Sequence, residues 1–191
     1  MLGVVLCGGE SARMGSDKGL LLNNVSTWAE LAFNKLSTLK IPVVLSVNTQ
    51  QLSIYNALFP LRNLIIDDAE LLIGGPLHGL LTVHQIFPND AIVLLACDMP
   101  LINVEVIEKL LQHHRTNATK EAFFFINGNQ PEPLCAIYTA RAMAKILSLY
   151  NAKKLAKHSM KYVLEQLDGL ALEMPLNWQP FFKNLNSKSD L

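Results

Sequence analysis

The sequence predicts a doubly wound α/β sandwich of three layers, with a mainly parallel sheet and a small antiparallel addition in its second half. Three observations lead there. Short, β-branched apolar runs at residues 4–7, 43–47, 64–66 and 91–97 alternate with segments whose apolar residues recur at helical spacing. Each run stops at glycine or at polar residues, which places chemistry at the carboxyl ends of the strands, where open α/β sheets bind ligands. From Ala122 the alternation gives way to two apolar runs joined by Asn127-Gly128-Asn129, the chemistry of a hairpin turn. With 191 residues, half of them apolar, the chain can bury one core, so a single domain over residues 1–191 is expected.

Each element has its own warrant. Residues 4–7 form a first strand broken by Gly8-Gly9. Thr27 and Glu30 make a capping box for a helix carrying Trp28, Leu31, Ala32, Leu36 and Leu39 on one side, and Pro42 ends it. The strand at 43–47 leads to Asn48, and Tyr55, Leu58 and Phe59 supply a short helical apolar face before Pro60. Residues 64–66 make a third strand that ends at Asp67-Asp68. Pro76 suits the first turn of a helix bearing Leu77, Leu80, Leu81, His84 and Phe87. The run at 91–97 is the most continuously apolar, as a central strand covered on both faces should be, and it ends at Asp98-Met99-Pro100. Asn103 then caps a helix with Val104, Ile107, Leu110 and Leu111 as its stripe. After the hairpin, residues 139–150 and 155–167 read as helices and 171–174 as a last strand.

The stretch from Val4 to Leu22 carries the strongest chemical signal. Gly8-Gly9 lets backbone N–H groups approach an anion, and Arg13 and Lys18 add two fixed positive charges with Gly15 between them. Ser16-Asp17 after Gly15 excludes a Walker loop, no G-x-G-x-x-G is present, and Arg13 replaces the second glycine of a nucleophile elbow around Ser11. A plain glycine-rich turn with incidental charges is the alternative. Gly74-Gly75-Pro76-Leu77-His78-Gly79 forms a second glycine-rich loop whose helix amino end can face an anion or a base. Asp98 reads either as a surface carboxylate before a helix or as a magnesium ligand. His78 sits within its loop without a visible base partner. Lys153, Lys154, Lys157, His158 and Lys161 gather charge around the helix predicted at 155–167. This is either a solvated face or a seat for an anionic acceptor.

The run from Leu6 to Lys18, Leu-Cys-Gly-Gly-x-Ser-x-Arg-Met-Gly-x-Asp-Lys, resembles the signature loop of the nucleotidyltransferases that include molybdenum cofactor guanylyltransferase, with Cys7 where that family usually has Ala. Gln130-Pro-Glu-Pro-Leu134 is similar to the family's mid-chain Pro-Leu segment, with one proline more, and Asn184-Leu185-Asn186 to its closing Asn-x-Asn element. The likeness therefore spans nearly the whole chain. It implies a Rossmann-like sheet in which residues 1–118 form the nucleotide-binding half and 119–191 the acceptor half. It implies further that Arg13, Lys18 and Asp98 carry catalysis, and that Asp98 holds Mg²⁺. Nucleotide contacts then fall at Leu6, Cys7, Gly8, Gly9, Lys18, Asp68, Gly75, Pro76, Leu77, Gly79 and Asp98, and at Ser46 or Asn48, since Ser46 stands where the family often has Asn. Lys154, Lys157, Lys161, Asn184 and Asn186 would face the acceptor.

The implied reaction joins GTP and molybdopterin, giving the guanine dinucleotide cofactor and pyrophosphate. A cytidylyltransferase acting on the same acceptor, a sugar-phosphate nucleotidyltransferase and a non-catalytic nucleotide sensor are the alternatives. Arg13, Lys18 and Asp98 together speak against the sensor. Composition sets the remaining bounds: a formal net charge of zero calls for neither nucleic acid nor an anionic membrane as partner. Three widely spaced cysteines without a C-x-x-C pair fit a reducing cytoplasm, and neither a leader nor a membrane-spanning run is expected. Transient contact with other molybdenum cofactor biosynthesis proteins would follow from the same likeness.

Overall fold

The computed structural model describes residues 1–8, 17–183 and 185. The Thr27 hydroxyl accepts the Glu30 N–H and the Glu30 carboxylate accepts the Thr27 N–H, so both halves of the predicted capping box are formed. In chain order the strands are β1 (Leu2–Leu6), β2 (Leu22–Asn23), β3 (Ser26–Thr27), β4 (Val43–Val47), β5 (Leu64–Ile66), β6 (Ile92–Ala96), β7 (Ala122–Asn127), β8 (Gln130–Tyr138) and β9 (Gly169–Glu173). The α-helices are α1 (Trp28–Ser37), α2 (Leu52–Tyr55), α3 (Pro76–Ile86), α4 (Val104–Thr116), α5 (Ala140–Asn151) and α6 (Met160–Glu165).

Seven strands form one sheet in the order β5-β4-β1-β6-β8-β7-β9, and β2 and β3 form a separate small hairpin. β5, β4, β1 and β6 run parallel, with Leu6 opposite both Ser46 and Ala96. β8 is antiparallel to β6 and β7, while β9 returns parallel to β7. The sheet is thus mainly parallel with one antiparallel strand, as expected. Strand alternation divides the core into two layers. Val5, Leu45, Val93, Leu95 and Phe123 pack with α1 and α4 on one face. Val4, Val44, Leu94, Ala136 and Tyr138 pack with α3, α5 and α6 on the other.

Between β7 and β8 the register jumps: Phe124 faces Ala136 but Phe125 faces Glu132, so residues 133–135 bulge from that ladder. β6 pairs with β8 only as far as Cys135, which leaves the other side of Pro131 and Pro133 without a ladder to serve. The additional proline therefore occupies a place where no sheet donor is needed.

Two expectations are corrected. The helix expected over 155–167 is confined to Met160–Glu165, and residues 154–159 form no regular element. Lys153, at φ 56°, closes α5 with Lys154 N–H bonded to the Leu149 carbonyl, and a new helix starts only where Ser159 caps it. In the α2 region, Tyr55 and Phe59 are buried but Leu58 is largely exposed. The short helix ends at Tyr55, so the predicted face does not continue to residue 58.

Candidate active site

The parallel order brings the carboxyl ends of β1, β4, β5 and β6 to one edge. Gly8, Asn48, Thr49, Asp67, Ala69, Ile73, Gly74, Gly75 and His78 line a cleft there of about 440 Å³. Three close approaches shape it. Ser46, fully buried, donates its hydroxyl to Asp67 Oδ1 at 2.5 Å. Gly79 packs directly over it, for a Cβ at that position would come 2.1 Å from Ser46 Oγ and 3.0 Å from Leu6 Cδ2. A Cβ on Gly8 would stand 2.7 Å from Asp67 Oδ2. Only glycines allow β1 and α3 to meet the Ser46–Asp67 pair.

Asp67 is consequently the cleft's carboxylate. Burial pushes its carboxyl above the ordinary range, with the Ser46 hydroxyl and His78 pulling it partly back. Asp68, the residue singled out by the sequence likeness, has its carboxylate turned to the Glu70 N–H at 3.0 Å and its own N–H on Thr82 Oγ1. His78 Nε2 lies 2.7 Å from the Asp68 carbonyl, which can only accept, so this nitrogen donates. Of Ser46 and Asn48, only Asn48 lines the cleft. Leu6, Cys7 and Leu77 are buried. Cys7 faces the α1/α4 core, and hydrogen bonding with it, then burial, pushes the neighbouring Cys97 thiol well up. Gly75, at φ 73°, precedes Pro76 at the first turn of α3.

Lys18 reaches across this edge, its Nζ 3.4 Å from Asp98 Oδ2 just after β6. Asp98 Oδ1 is buried and has no hydrogen-bond partner among the described residues. The Asp98 turn is braced from two sides. Leu185 N–H donates to the Asp98 carbonyl at 3.0 Å, and Lys35 Nζ donates to the Pro100 carbonyl at 2.5 Å. Burial lowers the Lys35 ammonium to about 8. Leu185 thus lies beside the acidic strand end. Arg13, Gly9, Asn184 and Asn186 lie outside the described residues.

An orphaned carboxylate oxygen beside a lysine fits a magnesium ion shared between one protein ligand and substrate phosphates. Among the described residues no group of three or more His, Cys, Asp or Glu side chains could make a protein-only cage.

The proposed acceptor lysines are not gathered on one helix. Lys154 and Lys157 lie in the irregular segment before α6 and Lys161 within it, all three exposed. Lys157 Nζ stands 5.9 Å from the Tyr162 ring centre, and Lys161 Nζ donates to Gln130 Oε1 at 2.6 Å.

Comparison with known proteins settles the family. The model of the MobA-like NTP transferase domain matches residues 3–170. The chain belongs to this family. It is 31% identical over 189 residues to a Methanothermobacter thermautotrophicus protein named "Probable molybdenum cofactor guanylyltransferase", covering 98% of this chain and 95% of that one. A Geobacillus protein of the same name is 30% identical over 195 residues, covering 100% and 95%. The crystal structure of molybdopterin-guanine dinucleotide biosynthesis protein A from Archaeoglobus fulgidus superposes with a TM-score of 0.78 at 22% identity, over 100% of this chain and 94% of that one. That structural likeness concerns the fold. The MobA-like chain is accordingly a nucleotidyltransferase, and none of its described helices is long and apolar enough to cross a membrane.

Two features of this edge are not legible in the sequence. The likeness points to Asp68, whereas the adjacent Asp67 lines the cleft. Asp17, Gln51 and Tyr55 form a hydrogen-bonded group beside Lys18, and no local pattern links residues 34 to 38 positions apart.

Proposed function

We propose that this protein transfers GMP from GTP to molybdopterin, giving the guanine dinucleotide form of the cofactor and pyrophosphate. The observation that carries the proposal is the meeting of Lys18 with Asp98 at 3.4 Å, at the sheet edge that also forms the cleft. The names of full-length relatives supply the nucleotide and the acceptor class.

The terminal phosphate of the acceptor attacks the α-phosphorus of GTP. A new P–O bond forms as the bond to the bridging oxygen of the β-phosphate breaks, and pyrophosphate leaves with that electron pair. The nucleophile is already an anion, so positioning and charge neutralisation outweigh proton transfer. Lys18 places an ammonium beside the triphosphate, with Arg13 as the second cation. Asp98 would hold Mg²⁺, which when bound neutralises phosphate charge. Asp67 offers an acceptor to the donor edge of the guanosine, Asn48 both a donor and an acceptor, and the amino end of α3 at Gly75-Pro76 faces the same cleft. Lys154, Lys157 and Lys161, with Asn184 and Asn186, are assigned to the acceptor. We place the reaction in the cytoplasm, in brief contact with other proteins of molybdenum cofactor biosynthesis.

Thermal unfolding with each nucleoside triphosphate and Mg²⁺ tests the nucleotide assignment. GTP at a hundred times its Kd should add about 2.7 kcal/mol of stability. A larger shift with CTP would move the protein to the cytidylyl branch, and no shift with any nucleotide would remove the assignment.

A further inference from the structure

Gln51 stands at the start of α2, outside the cleft lining, yet its side-chain amide uses its acceptor and both donors. Oε1 accepts the Asn48 N–H at 2.9 Å. Nε2 donates to the Cys7 carbonyl at 2.9 Å and to Asp17 Oδ2 at 2.7 Å. A flipped amide would lose all three bonds, so the orientation is fixed by its partners. Cys7 and Asp17 bracket the glycine-rich stretch in sequence, and one nitrogen therefore ties together the points where the chain leaves β1 and where it comes back.

Asp17 is held further. Its Oδ1 accepts the Gly19 N–H at 2.9 Å and the Tyr55 hydroxyl at 3.1 Å. Tyr55 is fully buried, and burial, followed by the nearby Cys7, Cys97 and Asp17, pushes its phenol up, so it remains a donor. A Cβ on Gly19 would come 2.1 Å from that hydroxyl, which leaves glycine as the residue that fits against it. The residues on both sides of Lys18 are thus fixed, while Lys18 itself extends to Asp98.

We propose that Gln51 is a positioning residue: by joining the Cys7 carbonyl to the Asp17 carboxylate it fixes these two flanking points relative to each other and sets Lys18 for the triphosphate. The role rests on the reading of this edge as a GTP site. It concerns the phosphates rather than the base, because the cleft groups Asp67 and His78 have partners of their own.

The test compares GTP and GMP binding in the whole protein by calorimetry with Mg²⁺, for wild type, Gln51→Met, Asp17→Asn and the double variant. Methionine keeps the length and removes the donors without adding charge. Loss of a charge-assisted bond is worth about tenfold or more, so Gln51→Met should lower GTP affinity by that factor while GMP affinity changes by less than about threefold. If Gln51 acts through Asp17, the double variant should be no more than about threefold worse than the weaker single one. Equal losses for GTP and GMP, or losses that simply add in the double variant, overturn the positioning role while leaving the GTP site in place. A wild-type protein that binds no guanine nucleotide overturns both readings together.

Discussion

The two halves of the molecule hold their charged groups by different means. In the first half, Asp17, Asp67 and Asp98 sit at strand ends or beside them, each with a bonded neighbour: Gln51 and Tyr55, Ser46, and Lys18. Glycines at 8, 19 and 79 let backbone and side chains approach closely enough to fix these pairs. In the second half, Lys154, Lys157 and Lys161 are exposed, two of them lie outside any regular element, and their contacts are a ring face and a surface amide. Glu121, a buried charge in that half, serves the fold. It accepts the Asp168 N–H at 2.8 Å and pairs with Lys145 and Arg141, tying the start of β7 to α5 and to the turn before β9. Charges fixed by the backbone can stabilise a reaction; charges on exposed stems can attract a ligand but hold it loosely.

The largest effects should come from the fixed groups. Lys18→Ala should lower guanylyl transfer by on the order of a hundredfold or more with the fold intact, as followed by steady-state kinetics and circular dichroism. Asp98→Asn should lower turnover and weaken the Mg²⁺ dependence together, because shape is kept and the anionic ligand is lost. A metal titration that matches wild type would remove Asp98 from the metal site.

Gly79→Ala should have an intermediate effect. Its Cβ meets Ser46 Oγ and Leu6, so α3 must move or the Ser46–Asp67 bond must break, at a cost of about 1–3 kcal/mol. Denaturant unfolding reads the stability loss, and weaker GTP binding should accompany it. Unchanged values for both would mean that this packing does not support the cleft.

Glu121→Gln contrasts with these by acting on stability alone, by about 0.5–1.5 kcal/mol, because the buried carboxylate's charge is lost to the Asp168 N–H and to the exposed Lys145 and Arg141. Burial raises the Glu121 carboxyl, but the Asp168 N–H, Lys145 and Arg141 outweigh it and leave the group below its ordinary value. Its folded form thus favours the anion. The stabilisation is complete above the carboxyl's unfolded range and is lost as pH falls through the folded value. Wild type and variant should therefore differ in stability at neutral pH and converge in acid. A difference independent of pH would deny the carboxylate this role.

The smallest effect is expected from replacing Lys154, Lys157 and Lys161 together by Gln. Exposed ion pairs contribute roughly 0 to 1 kcal/mol, so the fold should scarcely respond. The acceptor KM should rise several-fold, in line with loosely held charges worth about 1 kcal/mol in all, while GTP binding stays as it was. An unchanged acceptor KM and kcat would return these residues to an ordinary solvated surface.

What the sequence disclosed follows the same division. Apolar runs and the Thr27–Glu30 box reflect local physics, and they located the parallel strands and the start of α1. Pro76 likewise marked the first turn of α3. The end of α5 near residue 150 was legible, but the late start of the next helix at Met160 was hidden, because Leu155 fits the helical spacing although Ser159 is the residue that caps α6. Asp67 and Asp68 could not be told apart from composition, since the pleat and the neighbouring Ser46 decide which carboxylate faces the cleft. The Gln51–Asp17 bond joins residues 34 apart and exists only after β1 and β4 have paired. The second proline of Gln130-Pro-Glu-Pro-Leu134 was visible as an oddity, and the bulge in β8 supplies its reason.

Turnover with purified molybdopterin, Mg²⁺ and GTP labelled on its α-phosphate tests the central claim most directly. Label should pass into a guanine dinucleotide of the acceptor with one pyrophosphate released per transfer, and CTP should substitute poorly. Label that stays in GTP in the presence of acceptor, or a faster reaction with CTP, would contradict the account.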